Sequence, residues 1–141
     1  MFRMVKTKKK TLKKELVDKK SVEKIRADVV ADKVLTENSN ETRELFNQSR
    51  FGTLLDSGRL QISLIEAYYL MEKGKIEVFK SKNKQIENDD FAKKAKKIEP
   101  NFWIRYCVFK DMRNRGYIVK TALKFGADFR VYDRGVKPGE D

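Results

Sequence analysis

The sequence of 141 residues is 38% charged and carries a formal net charge of +12 at neutral pH. Because these residues include no histidine and a single cysteine, they exclude an internal disulfide, a zinc site of cysteine and histidine, and a two-histidine ribonuclease mechanism. The excess of positive charge indicates a polyanion as partner, since basic proteins gain affinity for phosphate backbones by releasing counterions.

The sequence predicts neither a membrane span nor a secretion signal. No apolar run approaches the roughly 20 residues that a spanning helix needs. The N-terminus is rich in lysine where a signal peptide would be apolar. An anionic membrane surface is the rival polyanion, but we expect a cytoplasmic protein with no membrane partner.

Residues 1–24 are predicted to form a flexible, lysine-rich arm. The first twenty residues hold nine basic and two acidic side chains, and their few apolar side chains are too sparse to pack. Two interpretations stay open for this arm. It contacts RNA nonspecifically, or it is a solvated tail without a role.

A small α/β domain is expected over residues 25–80. Two β-branched runs around a polar turn predict a hairpin over residues 27–36. Asn40 is placed to cap a short helix over Glu41–Gln48. Strands and helices are therefore mixed from the beginning of this domain.

A second helix of the same domain has clear start and stop signals. Ser63 with Glu66 three residues later predicts a capping box, and Gly74 lies where a left-handed residue would end the helix. The polar and apolar alternation of Lys75–Phe79 then predicts a half-buried strand.

Ser81–Asn88 is polar and is expected to be a linker between residues 25–80 and a second domain, residues 89–141. Asp89 or Asp90 is expected to cap the first helix of that domain. Its predicted apolar stripe is Phe91, Ala95 and Ile98, and its predicted outer face is Lys93, Lys94, Lys96 and Lys97.

The next helix, Phe102–Arg115, follows a break at Pro100-Asn101 and would end at Gly116. Apolar side chains cover most of its circumference, so it is predicted to be the central buried helix. Cys107 lies within it and is expected to be a small buried hydrophobe.

A β-hairpin is predicted after this helix. The alternation of Tyr117–Phe125 indicates a strand that directs Lys120 and Lys124 to one face. Gly126-Ala127 suits a two-residue type II′ turn, and Asp128–Arg134 forms the return strand. The hairpin therefore has one cationic face.

Tyr132 lies on that cationic face and has two competing interpretations. By spacing alone it is a half-exposed strand tyrosine, which is common in sheets. In a catalytic interpretation, nearby guanidinium groups favour its phenolate, which acts as a general base. Arg130, Arg134 and Lys137 are a solvated charged face by default, and phosphate contacts if RNA binds there.

No metal site and no cofactor are predicted. Asp128 and Asp133 fall on opposite faces of one strand, so they cannot hold one ion without a bulge. Glu140 and Asp141 stand at the end of the sequence. A carboxylate site for Mg²⁺ stays open as the weaker alternative.

The run Tyr106–Gly135 is long and distinctive, and it resembles the catalytic-domain signature of archaeal tRNA-splicing endonucleases. Phe51-Gly52 followed by Leu60–Leu70 is similar to the helix of that family's N-terminal domain. The resemblance covers roughly Ile25 to the end. It implies an α+β fold, in which a small mixed N-terminal domain precedes a C-terminal domain with a restriction-endonuclease-like sheet.

The resemblance also implies an activity. Family members excise introns by cutting both strands of a bulge–helix–bulge in precursor tRNA, without a metal. The 2′-hydroxyl attacks the adjacent phosphate and leaves a 2′,3′-cyclic phosphate and a 5′-hydroxyl. Members act as tetramers or pseudo-tetrameric dimers, so the expected partners are precursor tRNA and further endonuclease subunits, identical or different.

The family uses a tyrosine as base, a histidine as acid and a lysine to stabilise the phosphorane. Only the tyrosine carries over, onto Tyr132 in the run Tyr132–Gly135. The histidine would follow the loop that Lys137-Pro138-Gly139 begins, and the lysine belongs to a later helix. We therefore expect a truncated catalytic domain, either a piece of a longer subunit or a domain completed by a partner chain.

Two further functions stay open at this point. The chain is a noncatalytic subunit that holds precursor tRNA in the same assembly, or it is a generic basic RNA-binding protein. The second of these explains the net charge and the arm, but it does not explain the long run that resembles the catalytic domain.

Overall fold

The computed structural model describes residues 24–121 and 129–133. The helices among them are α1 (Asn40–Ser49), α2 (Leu64–Glu72), α3 (Asn88–Ile98) and α4 (Phe102–Asn114). The strands are β1 (Ile25–Val30), β2 (Lys33–Thr36), β3 (Thr53–Leu54), β4 (Leu60–Ser63), β5 (Ile76–Lys80), β6 (Lys84–Gln85), β7 (Ile118–Thr121) and β8 (Phe129–Tyr132). This mixture of helices and strands confirms the α+β class.

Strands β1 to β6 form one mixed sheet in the order β3-β4-β2-β1-β5-β6. Its β1–β2 hairpin, in which Val30 pairs with Lys33, confirms the hairpin predicted over residues 27–36. β1 also pairs in parallel with β5. The crossover between them includes α2, which is buried along nearly its whole length against the sheet. Alternate side chains of the strands, such as Ala27, Val34 and Val78, complete this core.

The sequence prediction is confirmed most closely at α2. The Ser63 hydroxyl accepts a hydrogen bond of 3.2 Å from the Glu66 amide, and the Glu66 carboxylate accepts one of 3.0 Å from the Ser63 amide. Gly74 follows the helix with a φ of +72°. The cap of α1 lies one residue earlier than predicted, because Ser39 rather than Asn40 accepts a hydrogen bond from the Thr42 amide.

The segment predicted as a linker is structured. Lys84 and Gln85 form β6, which pairs with β5, and Ile86 is buried. α3 then begins at Asn88 with Glu87 at the N-cap position. Neither Asp89 nor Asp90 is therefore the cap. Both lie in the first turn, where a negative charge is favoured by the positive end of the helix dipole.

The prediction that α4 is the central buried helix is wrong. Only one side of α4 packs against α2, through Phe102, Tyr106 and Phe109. Its other side is exposed, so Ile104 retains 70% of its accessible surface and Cys107 is exposed rather than buried. Ile98 of α3, predicted within the apolar stripe, is also exposed. Periodicity shows which residues share a face, but it does not show whether that face has a partner.

Aromatic rings join α2, α4 and the β7–β8 hairpin into one packed layer. The ring centroids of Tyr69 and Phe109 are 5.6 Å apart, and those of Tyr68 and Tyr106 are 4.8 Å apart. Phe109 also meets Phe129 of β8 at 5.8 Å. Such pairs contribute about 0.5–1.5 kcal/mol each beyond the area that they bury. This layer carries the second hairpin on the N-terminal core.

Candidate catalytic hairpin and its support

β7 and β8 pair in antiparallel orientation, so the structure contains the hairpin that the sequence predicts. The register differs from the expected one. An unbroken ladder closed by a two-residue turn at Gly126-Ala127 would pair Thr121 with Tyr132, whereas Thr121 pairs with Phe129 and Ile118 with Tyr132. The predicted turn itself lies outside the described residues.

Tyr132 is half-buried on β8, and its pairing partner Ile118 is buried. Phe129 packs on α4, where the Arg105 guanidinium also lies 5.2 Å from its ring centre. Strand alternation assigns Arg130 and Tyr132 to the face opposite Phe129. Arg130 is exposed.

Two of the predicted phosphate contacts, Arg134 and Lys137, lie outside the described residues. Residues 1–23 of the predicted basic arm also lie outside them. Of the predicted site residues, the described part of the chain therefore contains Tyr132 and Arg130, both on β8. Within residues 24–121 and 129–133, no group of three or more cysteine, histidine or carboxylate side chains is arranged to hold a metal ion. None of the helices in the same ranges is both long and apolar enough to span a membrane.

Lys120 departs from the sequence prediction, which placed it on a cationic face with Lys124. Its ammonium is directed into the protein, where it donates a hydrogen bond of 2.9 Å to the Arg50 carbonyl and another to the Gly52 carbonyl. Burial lowers the pKa of Lys120, and the charge of Glu66 opposes that shift. Lys120 thus binds the loop after α1 rather than solvent.

Arg113 holds the same loop from α4, a role that no sequence pattern indicates. Its guanidinium donates a hydrogen bond of 2.7 Å to the Ser49 carbonyl and one of 3.1 Å to the Val119 carbonyl. The guanidinium also lies 3.8 Å from the centre of the Phe51 ring. Burial lowers its pKa to about 10. A basic residue near a helix end is ordinary in sequence, so only the contacts reveal this role.

Glu66 supplies the negative charge beside these two cations. Its carboxylate is 1% exposed and accepts a hydrogen bond of 2.7 Å from the Gly52 amide, in addition to closing the capping box. Glu66, Arg113 and Lys120 together bind the backbone of residues 49–52, and we call this set the loop clamp. Two of its members come from α4 and β7, so the clamp fixes the second hairpin to the N-terminal part of the chain.

Two models of known protein families match consecutive parts of this chain. The family model "tRNA intron endonuclease, N-terminal domain" matches residues 25–92. The model "tRNA intron endonuclease, catalytic C-terminal domain" matches residues 102–141, a range that contains Tyr132, Arg130, Arg134 and Lys137. The two domains therefore occur here in the order that their names state.

Curated archaeal proteins named tRNA-splicing endonuclease are similar to this chain. The protein from Thermococcus onnurineus is 43% identical over 114 residues, which are 81% of this chain and 66% of that protein. The one from Pyrococcus horikoshii is 46% identical over 101 residues, 72% of this chain and 58% of the relative. The one from Nanoarchaeum equitans is 50% identical over 78 residues, 55% of this chain and 50% of the relative. The matched part of the chain thus spans about half to two thirds of the length of these relatives.

Proposed function

Because the chain belongs to the tRNA intron endonuclease family, we propose that it is a subunit of an enzyme that cuts precursor tRNA at its introns. The match of both domain models, in order, is the observation that carries this proposal. The loop clamp and the aromatic layer support it, because they hold the hairpin that bears Tyr132 on a packed core.

In the proposed reaction Tyr132 acts as the general base. It accepts the proton of a ribose 2′-hydroxyl, whose oxygen then attacks the adjacent phosphorus. The bond from phosphorus to the 5′ oxygen breaks, and protonation of that oxygen completes the step. The products are a 2′,3′-cyclic phosphate and a 5′-hydroxyl, and the reaction is proposed to need no metal or cofactor.

The remaining catalytic groups are proposed to come from outside these residues. The 141 residues contain no histidine, so a histidine acid has to be supplied by further residues of the subunit or by a partner chain. Arg130, Arg134 and Lys137 are proposed to contact RNA phosphates, for which the exposure of Arg130 is suitable. Two cuts at one intron need two sites, so the proposal includes an assembly with further endonuclease subunits, located in the cytoplasm.

The test uses the protein in the assembly in which it is isolated, incubated with a bulge–helix–bulge RNA in EDTA. We expect cleavage that leaves cyclic-phosphate and 5′-hydroxyl ends. Tyr132→Phe should lower kcat about 10²–10⁴-fold, the usual contribution of a general base, with little change in KM. Tyr68→Phe removes a hydroxyl from α2, on a different element from Tyr132, and is the matched control, which should retain activity. Full activity of Tyr132→Phe would disprove the base role, and cleavage that requires Mg²⁺ would disprove the metal-free mechanism.

A second candidate function is a noncatalytic subunit that holds precursor tRNA. The formal net charge of +12 suits this role, because binding of a polyanion needs no catalytic group. In that case Tyr132→Phe would leave cleavage by the assembly unchanged, whereas removal of this chain from the assembly would abolish tight binding of the RNA.

A further inference from the structure

Helix α3 has one buried side and one strongly basic side. Phe91, Ala92 and Ala95 are buried against the core. Four lysines on the opposite side are exposed, and we call them the lysine face: Lys93, Lys94, Lys96 and Lys97. Four positive charges within five consecutive residues create a concentrated positive potential at the surface.

The lysine face makes no close ion pair in the described part of the chain, although Asp89 and Asp90 lie one helical turn before Lys93 and Lys94. Glu99, which directly follows α3, pairs instead with Arg105 at 3.3 Å. The helix dipole favours basic residues in the last turn, namely Lys96 and Lys97. Lys93 and Lys94 lie four residues after Asp89 and Asp90 but form no close ion pair with them, so all four ammonium groups remain available to a ligand.

An exposed aromatic ring lies beside this face. Trp103, in the first turn of α4, retains 47% of its accessible surface. The Lys96 ammonium is 5.1 Å from the centre of a Trp103 ring. On its inner side the indole contacts Tyr106 and Tyr68, with centroids 5.7 and 6.3 Å apart. The ring is therefore held in place by the aromatic layer while part of it remains accessible.

We propose that the lysine face and Trp103 form an RNA-binding surface, in which the lysines contact backbone phosphates and the indole stacks on an unpaired base. Proteins that bind single-stranded nucleic acid combine these two elements, a basic track and an aromatic ring. The choice of RNA rests on charge complementarity and on the proposed function, which makes precursor tRNA the polyanion. This surface is separate in sequence from the hairpin that carries Tyr132, so it would add affinity without taking part in the chemistry.

The experiment measures binding of a bulge–helix–bulge RNA at salt concentrations between 50 and 200 mM. The triple variant Lys93→Gln, Lys94→Gln, Lys97→Gln removes three charges and leaves Lys96 in contact with Trp103. We expect at least a tenfold loss of affinity at low salt, and a salt dependence that is shallower by about two units of slope, since each phosphate contact contributes about 0.7–0.9. Trp103→Leu should weaken binding about fivefold or more.

Two control variants separate this surface from a general effect of charge. Replacing the same three lysines by arginine keeps the charge and should keep the affinity. A second triple variant replaces Lys24, Lys73 and Lys75 by glutamine and should change affinity less than threefold. These three lysines are exposed; Lys24 precedes β1, and Lys73 and Lys75 lie between α2 and β5. Unfolding curves establish that each variant is folded.

The proposal is overturned if both glutamine triple variants weaken binding equally, or if the first leaves the affinity and the salt slope unchanged. Loss of binding to anionic vesicles or to an acidic protein, with RNA binding intact, would also overturn it. Because the readout is binding, the result does not depend on whether the RNA is cut. Absence of cleavage by the unmodified assembly would count against the proposed function alone.

Discussion

The Lys120 ammonium on β7 lies 2.9 Å from the carbonyl oxygen of Arg50, the residue that ends α1 in the left-handed conformation. This contact connects the two parts of the fold that matter most for the proposed reaction. Lys120 is two residues from Ile118, which pairs with Tyr132. The position of the proposed base therefore depends on a hydrogen bond made to the N-terminal part of the chain.

We expect Lys120→Met to lower the free energy of unfolding by about 1–3 kcal/mol. Methionine preserves most of the apolar stem, but the carbonyls of Arg50 and Gly52 lose a charged donor in a partly buried environment. Guanidinium denaturation measures the change. Lys24→Met, at an exposed position, is the control. It should change the free energy of unfolding by less than about 0.5 kcal/mol, as ordinary surface substitutions do. Equal effects of the two substitutions would contradict the role of the loop clamp.

Glu66→Gln tests the negative charge of the loop clamp. The amide keeps the shape of the side chain, but it weakens the hydrogen bond from the Gly52 amide and removes the charge beside Arg113 and Lys120. We expect the free energy of unfolding to fall by about 1–3 kcal/mol. The pKa of Arg113, already lowered to about 10, should fall further, and NMR titration of its guanidinium would measure this. An unchanged Arg113 titration would show that Glu66 acts through hydrogen bonds alone.

Gly52 and Gly74 form a matched pair for testing close packing at the clamped loop. Both have positive φ, +63° and +72°. A Cβ at Gly52 would meet the Gln61 carbonyl oxygen and the Ile62 side chain, whereas a Cβ at Gly74 has nothing within 4 Å. Gly74→Ala should therefore cost only the left-handed penalty of about 1–2 kcal/mol. Gly52→Ala should cost clearly more in the same thermal unfolding experiment, and similar midpoints for the two variants would refute the close contact.

The parts of the fold that the sequence predicts well are those determined by neighbouring residues. The capping box of Ser63 and Glu66 depends on a spacing of three residues, which predicts the start of α2, and two β-branched runs predict the β1–β2 hairpin. The second role of Glu66, to accept the Gly52 amide across 14 positions, has no local signal. The contacts of Lys120 also have no local signal. Strand alternation predicts which face of the strand Lys120 lies on, but it does not predict that the loop after α1 covers that face.

For the candidate site, the sequence predicts the β-hairpin but not its register. Strand alternation predicts that Arg130 and Tyr132 share one face; the structure places both on β8, where burial does not alternate along the strand. The catalytic interpretation of Tyr132 came from the family resemblance, since spacing alone favours an ordinary strand tyrosine. The register was wrong because it depends on how the chain turns between Thr121 and Phe129, and a Gly-Ala pair does not determine this by itself.

The hydroxyl of Tyr106 on α4 gives the fold a dependence on alkaline pH. This hydroxyl donates a hydrogen bond to the carboxylate of Glu72, at the end of α2. Burial, and then the hydrogen bond and charge of Glu72, raise the pKa of Tyr106 well above its usual value of 10. A folded-state pKa that is raised means that the unfolded chain loses this proton first. The stabilisation is therefore complete below pH 10 and is lost as the pH rises above it.

Tyr106→Phe should accordingly be less stable than the unsubstituted protein by about 1.5–3 kcal/mol at pH 8, because it lacks the hydrogen bond to the Glu72 carboxylate. Above pH 10 the difference should shrink by about 1.4 kcal/mol per pH unit, since only the unsubstituted protein must keep Tyr106 protonated in order to fold. Urea denaturation between pH 8 and pH 11 measures both regimes, and the other titrating groups cancel in the comparison. Glu72→Gln should reduce the pH dependence without removing it, because burial is the largest cause of the shift. Two stability curves that stay parallel up to pH 11 would rule out a buried, hydrogen-bonded Tyr106.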